Sequence, residues 1–185
     1  MKQVYLLTGR PGTGKTTLIK QVVTMLEIKA GGFYTEEIRN EGPRLGFRLV
    51  TLDGQQSTLA HIDFDKRYRV SKYGIDIDNL NKVGIPAIHR AAEKCDLIIV
   101  DEIGKMELFS AHFRGAVLAI INSGKRILGT IMLDANPWSD AIKRHPQVNL
   151  VTVTRDNHQQ VLNELRRWLE IENSSIPESL YVNKP

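Results

Sequence analysis

"QVYLLTGRPGTGKT", Gln3 to Thr16, is the stretch on which the fold turns. A short apolar run, QVYLL, breaks into a glycine-rich turn and then, from Lys15, into a helical pattern reaching about Ile28. A buried strand, a tight turn and a helix in that order open a β–α unit. The turn satisfies the spacing G-x-x-x-x-G-K-[ST] through Gly9, Gly14, Lys15 and Thr16. Glycines leave no Cβ in the way, so successive backbone N–H groups can turn inward around an anion, and the helix start adds its positive end. The pattern predicts that Gly9, Arg10, Pro11, Gly12, Thr13, Gly14, Lys15, Thr16 and Thr17 cradle the phosphates of a nucleoside triphosphate. Lys15 would reach the β and γ phosphates, and the Thr16 hydroxyl would take a place on Mg²⁺.

A second stretch, "CDLIIVDEIGKMEL" from Cys95 to Leu108, is a greasy run that ends abruptly in Asp101 and Glu102. In an open parallel sheet, ligands gather at the carboxyl ends of strands, which is where LIIV delivers these two acids. Asp101 is placed to share the metal with Thr16, and Glu102 to orient or deprotonate a nucleophile in line with the γ-phosphate. The bland alternative is that both acids cap the following turn.

The rest of the chain continues the alternation. LIIV precedes a helix from about Leu108 to Asn122, RILGTI a short helix from Asn136 to Arg144, and VNLVTV a last helix that Asp156 or Asn157 can cap and that runs to about Glu170. Continuous apolar strands separated by helices predict an α/β, doubly wound, mainly parallel sheet covered on both faces. Residues 31–62 break the rhythm: GGFYTEEIRN and RLGFRLVTLDG alternate apolar and polar around Asn40-Glu41-Gly42-Pro43, an inserted antiparallel hairpin. Arg67 to Gly74 reads as a loop over the sheet edge. The pattern predicts one domain over residues 1–170 and a frayed tail over 171–185.

At 185 residues and 42% hydrophobic the chain is long enough for a core. No apolar run approaches the ~18 residues that span a bilayer, so a cytoplasmic protein without a membrane partner is expected. Cys95 is the single cysteine and reads as a small buried hydrophobe. The net charge of +4 is spread among acids rather than gathered in a stripe, which argues against nucleic acid as a partner.

Beyond these two motifs, the segments GGFYTEEIR, GFRLVTLDG, RVSKYGIDI, VDEIGKMELFS, ILGTI and VTRDN resemble a small family of P-loop nucleoside-triphosphatases, the cancer-related nucleoside-triphosphatase-like proteins. The resemblance runs through almost the whole chain. It implies a RecA-like fold and slow, Mg²⁺-dependent hydrolysis of ATP, GTP and other triphosphates to diphosphate and phosphate. It also implies the phosphate role for Gly9 to Thr16, the metal role for Asp101 and the water-activating role for Glu102. This chain departs from the family at Ser71, where glycine is usual, and in MLDANPWSDAIKRHP, which lacks the early basic residues.

Transition-state charge needs a further cation besides Lys15. Lys105, on the turn after the two acids, and Lys72, beside Arg69 on the Gly-containing segment, lead the candidates, followed by Arg39 and Arg144. Thr154, Arg155 and Asn157 stand where a base could meet the end of VNLVTV, and no Asn-Lys-x-Asp guanine reader is present. Phe33, Tyr34 and Phe47 are core of the inserted hairpin or a ring platform for an acceptor. Two other functions remain open: a kinase passing the γ-phosphate to a nucleotide, nucleoside or other small hydroxyl compound, and a nucleotide-gated module whose hydrolysis only resets a conformation, with RNA or an unknown protein as partner.

Overall fold

A computed structural model describes residues 2–173, the last three by their backbone alone. In chain order it comprises β1 (Val4–Thr8), α1 (Lys15–Leu26), β2 (Ala30–Arg39), β3 (Arg44–Thr51), β4 (Gln56–His61), β5 (Tyr68–Val70) and β6 (Tyr73–Ile75). There follow α2 (Ile77–Asn79), a π turn (Leu80–Gly84), α3 (Ile85–Lys94), β7 (Leu97–Ile103), a 3₁₀ turn (Glu107–Phe109) and α4 (Ala111–Asn122). The chain then forms β8 (Ile127–Ile131), α5 (Pro137–Lys143), β9 (Val148–Thr152) and α6 (His158–Asn173).

Among the described residues all nine strands join one sheet in the order β5-β6-β4-β3-β2-β7-β8-β1-β9. The half from β2 to β9 is parallel and the half from β2 to β5 antiparallel. β2 belongs to both, pairing parallel with β7 over Ala30–Tyr34 and antiparallel with β3 from Phe33 onward. The segment read as an inserted hairpin is thus a three-strand extension of the same sheet.

Alternate residues of the central strands serve opposite faces, as the pleat requires. Leu6, Ile98 and Val100 pack with Ile88 of α3 and Phe113 and Val117 of α4. Leu7, Leu97 and Ile99 pack with Leu18 and Val22 of α1 and Leu165 and Trp168 of α6. Both faces being covered explains why the strands are apolar throughout, and Cys95 is half-buried against the first cluster.

Three readings of the sequence are corrected, and a helical stretch it did not read is added. The segment Arg67 to Gly74 is an edge hairpin, β5 and β6, and not a loop. Its Ser-Lys turn carries none of the Asn-Gly or Asp-Gly chemistry that announces a two-residue hairpin. The helical stretch over residues 77–94 escapes the pattern because Gly84-Ile85-Pro86 reads as a break, which a π turn accommodates. The first helix stops at Leu26, two residues early, where Glu27 turns left-handed with φ 48°. The last helix continues to Asn173, so the expected tail keeps only residues 174–185, which lie outside the described part.

Ser71 occupies the turn with φ 54°, a left-handed conformation that costs a side chain with a Cβ roughly 1 kcal/mol or more. Ser71→Gly is expected to raise the unfolding free energy by about 1 kcal/mol, read as a higher urea midpoint at unchanged slope. A lower midpoint would mean that the hydroxyl holds the turn more strongly than the backbone resists it.

Among the described residues no helix is long and apolar enough to cross a membrane.

Candidate active site

The turn between β1 and α1 is built as its glycines predict. Gly9, Gly12 and Gly14 have φ of +146°, +76° and +83°. A Cβ on Gly9 would also run into the Val153 carbonyl at the end of β9. Lys15 folds back over the loop, its Nζ donating to the carbonyls of Gly9 (2.9 Å) and Arg10 (3.1 Å). Thr13 Oγ1 donates to the same Arg10 carbonyl at 3.0 Å, so two side chains draw the loop into a ring. Thr16 is half-buried at the start of α1, and Thr17 is exposed.

β8 lies between β1 and β7, which sets the glycine loop and the acidic strand end two strand spacings apart, roughly 9–10 Å. That gap is bridged by side chains. Asp101 is 2% exposed; its Oδ1 accepts a hydrogen bond from Thr130 Oγ1 of β8 at 2.5 Å, and its carboxylate also faces the Thr16 hydroxyl. Its backbone carbonyl accepts from Thr35 Oγ1 of β2 at 2.8 Å. Burial raises its pKa above the usual carboxylate range, against the two hydroxyls and the charge of Lys15.

Asp101 Oδ2 is buried without a hydrogen-bond partner. An unpaired buried carboxylate oxygen is costly unless something positive comes to meet it. With Thr16 beside it, the donors are all oxygen, which suits a hard divalent cation. Among the described residues no group of three or more His, Cys, Asp and Glu side chains is arranged to hold an ion. The cation would therefore take its remaining ligands from phosphate and water, as Mg²⁺ sites commonly do.

Glu102, the residue after Asp101, faces a cleft of about 540 Å³ that it lines with Gly9, Lys15, Gly104, Lys105 and Glu107. The β7–β8 register shifts between Val100 and Ile103, so the two acids leave the regular pleat. Glu102's pKa is raised by burial first and by the charge of Asp101 second, with Lys15 opposing. Glu107, 3% exposed, is pushed up to about 8 by burial and then by Glu102.

The candidate cations part company. Lys105 lines the cleft but its Nζ is engaged by Asp134 at 2.6 Å, both side chains being exposed. Lys72 lies over the Tyr73 ring and lines a neighbouring hollow of about 500 Å³ with Arg39 and Arg44. Arg39 is tied to Glu37 and the Gly42 carbonyl, Arg69 to the carbonyls of Phe64 and Lys72, and Arg144 closes α5. Of the base candidates, Thr154 and Arg155 line a second hollow of about 500 Å³ on the far side of Arg10 and Pro11. Asn157 is spent on the turn, bonding the Thr154 N–H and the Thr152 carbonyl at 2.8 Å each. Phe33 is fully buried core, while Phe47 reaches the wall of the cleft.

Sequence reasoning missed Thr35, Thr130 and Glu107. The last two carried a signal, a polar residue at the end of the apolar run RILGTI and an acid inside the apolar stretch KMELF.

Residues 4–166 match the model of a family described as NTPase. A nucleoside-triphosphatase THEP1 of Thermotoga sp. is 45% identical over 160 residues, 86% of this chain and 91% of that protein. The crystal structure of THEP1 from Aquifex aeolicus superposes with a TM-score of 0.82 at 34% identity, covering 90% of this chain and 99% of that one. The solution structure of a human cancer-related nucleoside triphosphatase gives 0.77 at 33% identity, covering 96% and 100%.

Proposed function

The chain belongs to the NTPase family, and from that premise we propose that it hydrolyses nucleoside 5′-triphosphates, ATP and GTP among them, to diphosphate and phosphate with Mg²⁺. The observation that carries this is the meeting, across β8, of the Lys15 loop, the unpartnered Asp101 oxygen and the cleft-facing Glu102. Thr16 and Asp101 would hold Mg²⁺, which when bound neutralises charge on the β and γ oxygens. The loop N–H groups grip the β-phosphate, and Lys15 exchanges its two carbonyl partners for phosphate oxygens. Glu102 takes a proton from water as the water oxygen bonds to the γ phosphorus and the bond to the β–γ bridging oxygen breaks. The half-closed cleft, walled by Phe47 and Met132, limits bulk water around that step.

The hollow bounded by Thr152, Val153, Thr154 and Arg155 is the seat we assign to the base. Besides threonines and the apolar Pro11, Leu133 and Val153, its walls hold Arg10 and Arg155, whose guanidinium planes can stack on any base, which supports broad base selectivity. The single sheet joining all the described strands supports a reading as a one-domain enzyme whose last helix carries the domain to Asn173.

A second reading draws on the hollow with Arg39, Arg44 and Lys72, which shares Phe47, Val70 and Met106 with the cleft and could seat an anionic phosphoryl acceptor. A product balance separates the two. With Mg²⁺ and each triphosphate, free phosphate is expected to equal diphosphate, whatever nucleoside or nucleotide acceptor is added. Diphosphate in excess, with the missing phosphate on an acceptor, would make the protein a kinase that leaks to water.

A further inference from the structure

Glu107 is a buried acid that the mechanism above does not use. It opens the 3₁₀ turn after β7, and its Oε2 accepts the Gly104 N–H at 3.1 Å in a buried bond. Gly104 lies between it and Glu102. A Cβ placed on that glycine would be 3.0 Å from Glu107 Oε2 and 3.1 Å from Glu102 Oε1. Those two carboxyl oxygens are therefore no more than about 6 Å apart, and both residues line the cleft that Lys15 also lines. Asp101, buried in β7, adds its charge to the surroundings of Glu107. The cations facing it are Lys15 and Arg10 from the glycine loop and Lys105 from its own turn, the last held by Asp134 beyond β8.

We propose that Glu107 is a positioning residue for triphosphate hydrolysis that works as a neutral carboxylic acid, fixing Gly104 and backing Glu102 without adding a charge to the phosphate cleft. The proposal rests on the cleft being the site of hydrolysis. Its chemistry follows from placement. A third carboxylate beside Asp101 and Glu102 would repel an incoming polyanion and Glu102 alike, whereas the protonated acid still accepts the Gly104 N–H. Burial and the Glu102 charge favour that protonated form up to about pH 8. A residue that served the turn alone would behave the opposite way, because ionisation strengthens a hydrogen bond accepted from a backbone N–H.

The sign is settled by which form is useful. The protonated form supports the reaction, so activity is retained below the pKa and lost as pH rises through about 8. The test is kcat/KM across about pH 6 to 10 for the wild type and Glu107→Gln, each scaled to its own value near neutrality. The wild type is expected to fall about tenfold per pH unit above the pKa, and Glu107→Gln, which cannot ionise, to stay level. Parallel profiles, or a uniform loss in the variant at every pH, would overturn the proposal. The wild type also reports directly through the infrared carbonyl band of a protonated carboxylic acid. A band that bleaches near pH 8 is expected, and no band titrating there would equally sink the idea. Product balance at neutral pH tests the hydrolase reading itself, and its failure leaves a different record from failure of the alkaline limb.

Discussion

Replacing Glu102 by Gln is expected to lower kcat by two to four orders of magnitude, on the order of what a positioned general base contributes, while triphosphate affinity stays within about threefold. The amide keeps the size and planarity of the carboxylate, so the cleft wall that Glu102 forms with Gly104 survives. What disappears is the capacity to take a proton from water. The variant also loses one of the charges that push Glu107 upward, so any residual alkaline limb should move to lower pH. A single-turnover measurement with saturating triphosphate isolates the chemical step. A rate within tenfold of the wild type would remove Glu102 from the role assigned to it and turn attention to solvent or the γ-phosphate itself as the proton acceptor.

The second large effect falls on Lys15. Lys15→Ala is expected to weaken triphosphate binding by roughly 10–100-fold, the worth of a charge-assisted hydrogen bond, and to lower kcat by a further 10²–10³. Both constants move because the ammonium lies directly across the loop, bonded to the carbonyls of Gly9 and Arg10 at 2.9 and 3.1 Å. Equilibrium titration with a fluorescent triphosphate checks the first part and steady-state turnover the second. Unchanged affinity would mean that the backbone N–H groups alone grip the phosphates. A thermal melt guards against a trivial cause, since the same ammonium also ties down the loop in the free protein.

Much of this architecture can be read from the chain because the decisive residues are local. The glycine loop declares itself by the backbone freedom it needs, and LIIV-Asp-Glu by charge following grease. Asp101's partner Thr130 is 29 residues away, and only the strand order puts the two together. Residues such as Glu107 are harder still, since nothing in KMELF says whether the acid is exposed or holds a proton. The edge hairpin escaped because its turn uses Ser71 where glycine would have given the signal. Lys72 and Lys105 look equivalent on paper, but one lines the cleft and the other a hollow beside it. Distances across a sheet are not written in spacing along a chain.

The order of strands also bears on how the molecule is made. β1, made before the other described strands, pairs with β8 and β9, far along the chain, with Val4 opposite Ile127 and Val148. β2, β3 and β4, by contrast, are consecutive antiparallel neighbours that can pair as soon as they emerge. Pairing between distant segments is slow because a long loop must close before any contact rewards it. The glycine loop hangs from β1 and lies against Val153, so the triphosphate seat is completed only once Val153 has been synthesised. Early truncation products should therefore contain ordered hairpins yet give no stabilisation by nucleotide, and they would carry the exposed edge of an unfinished sheet, the kind of surface that chaperones clear.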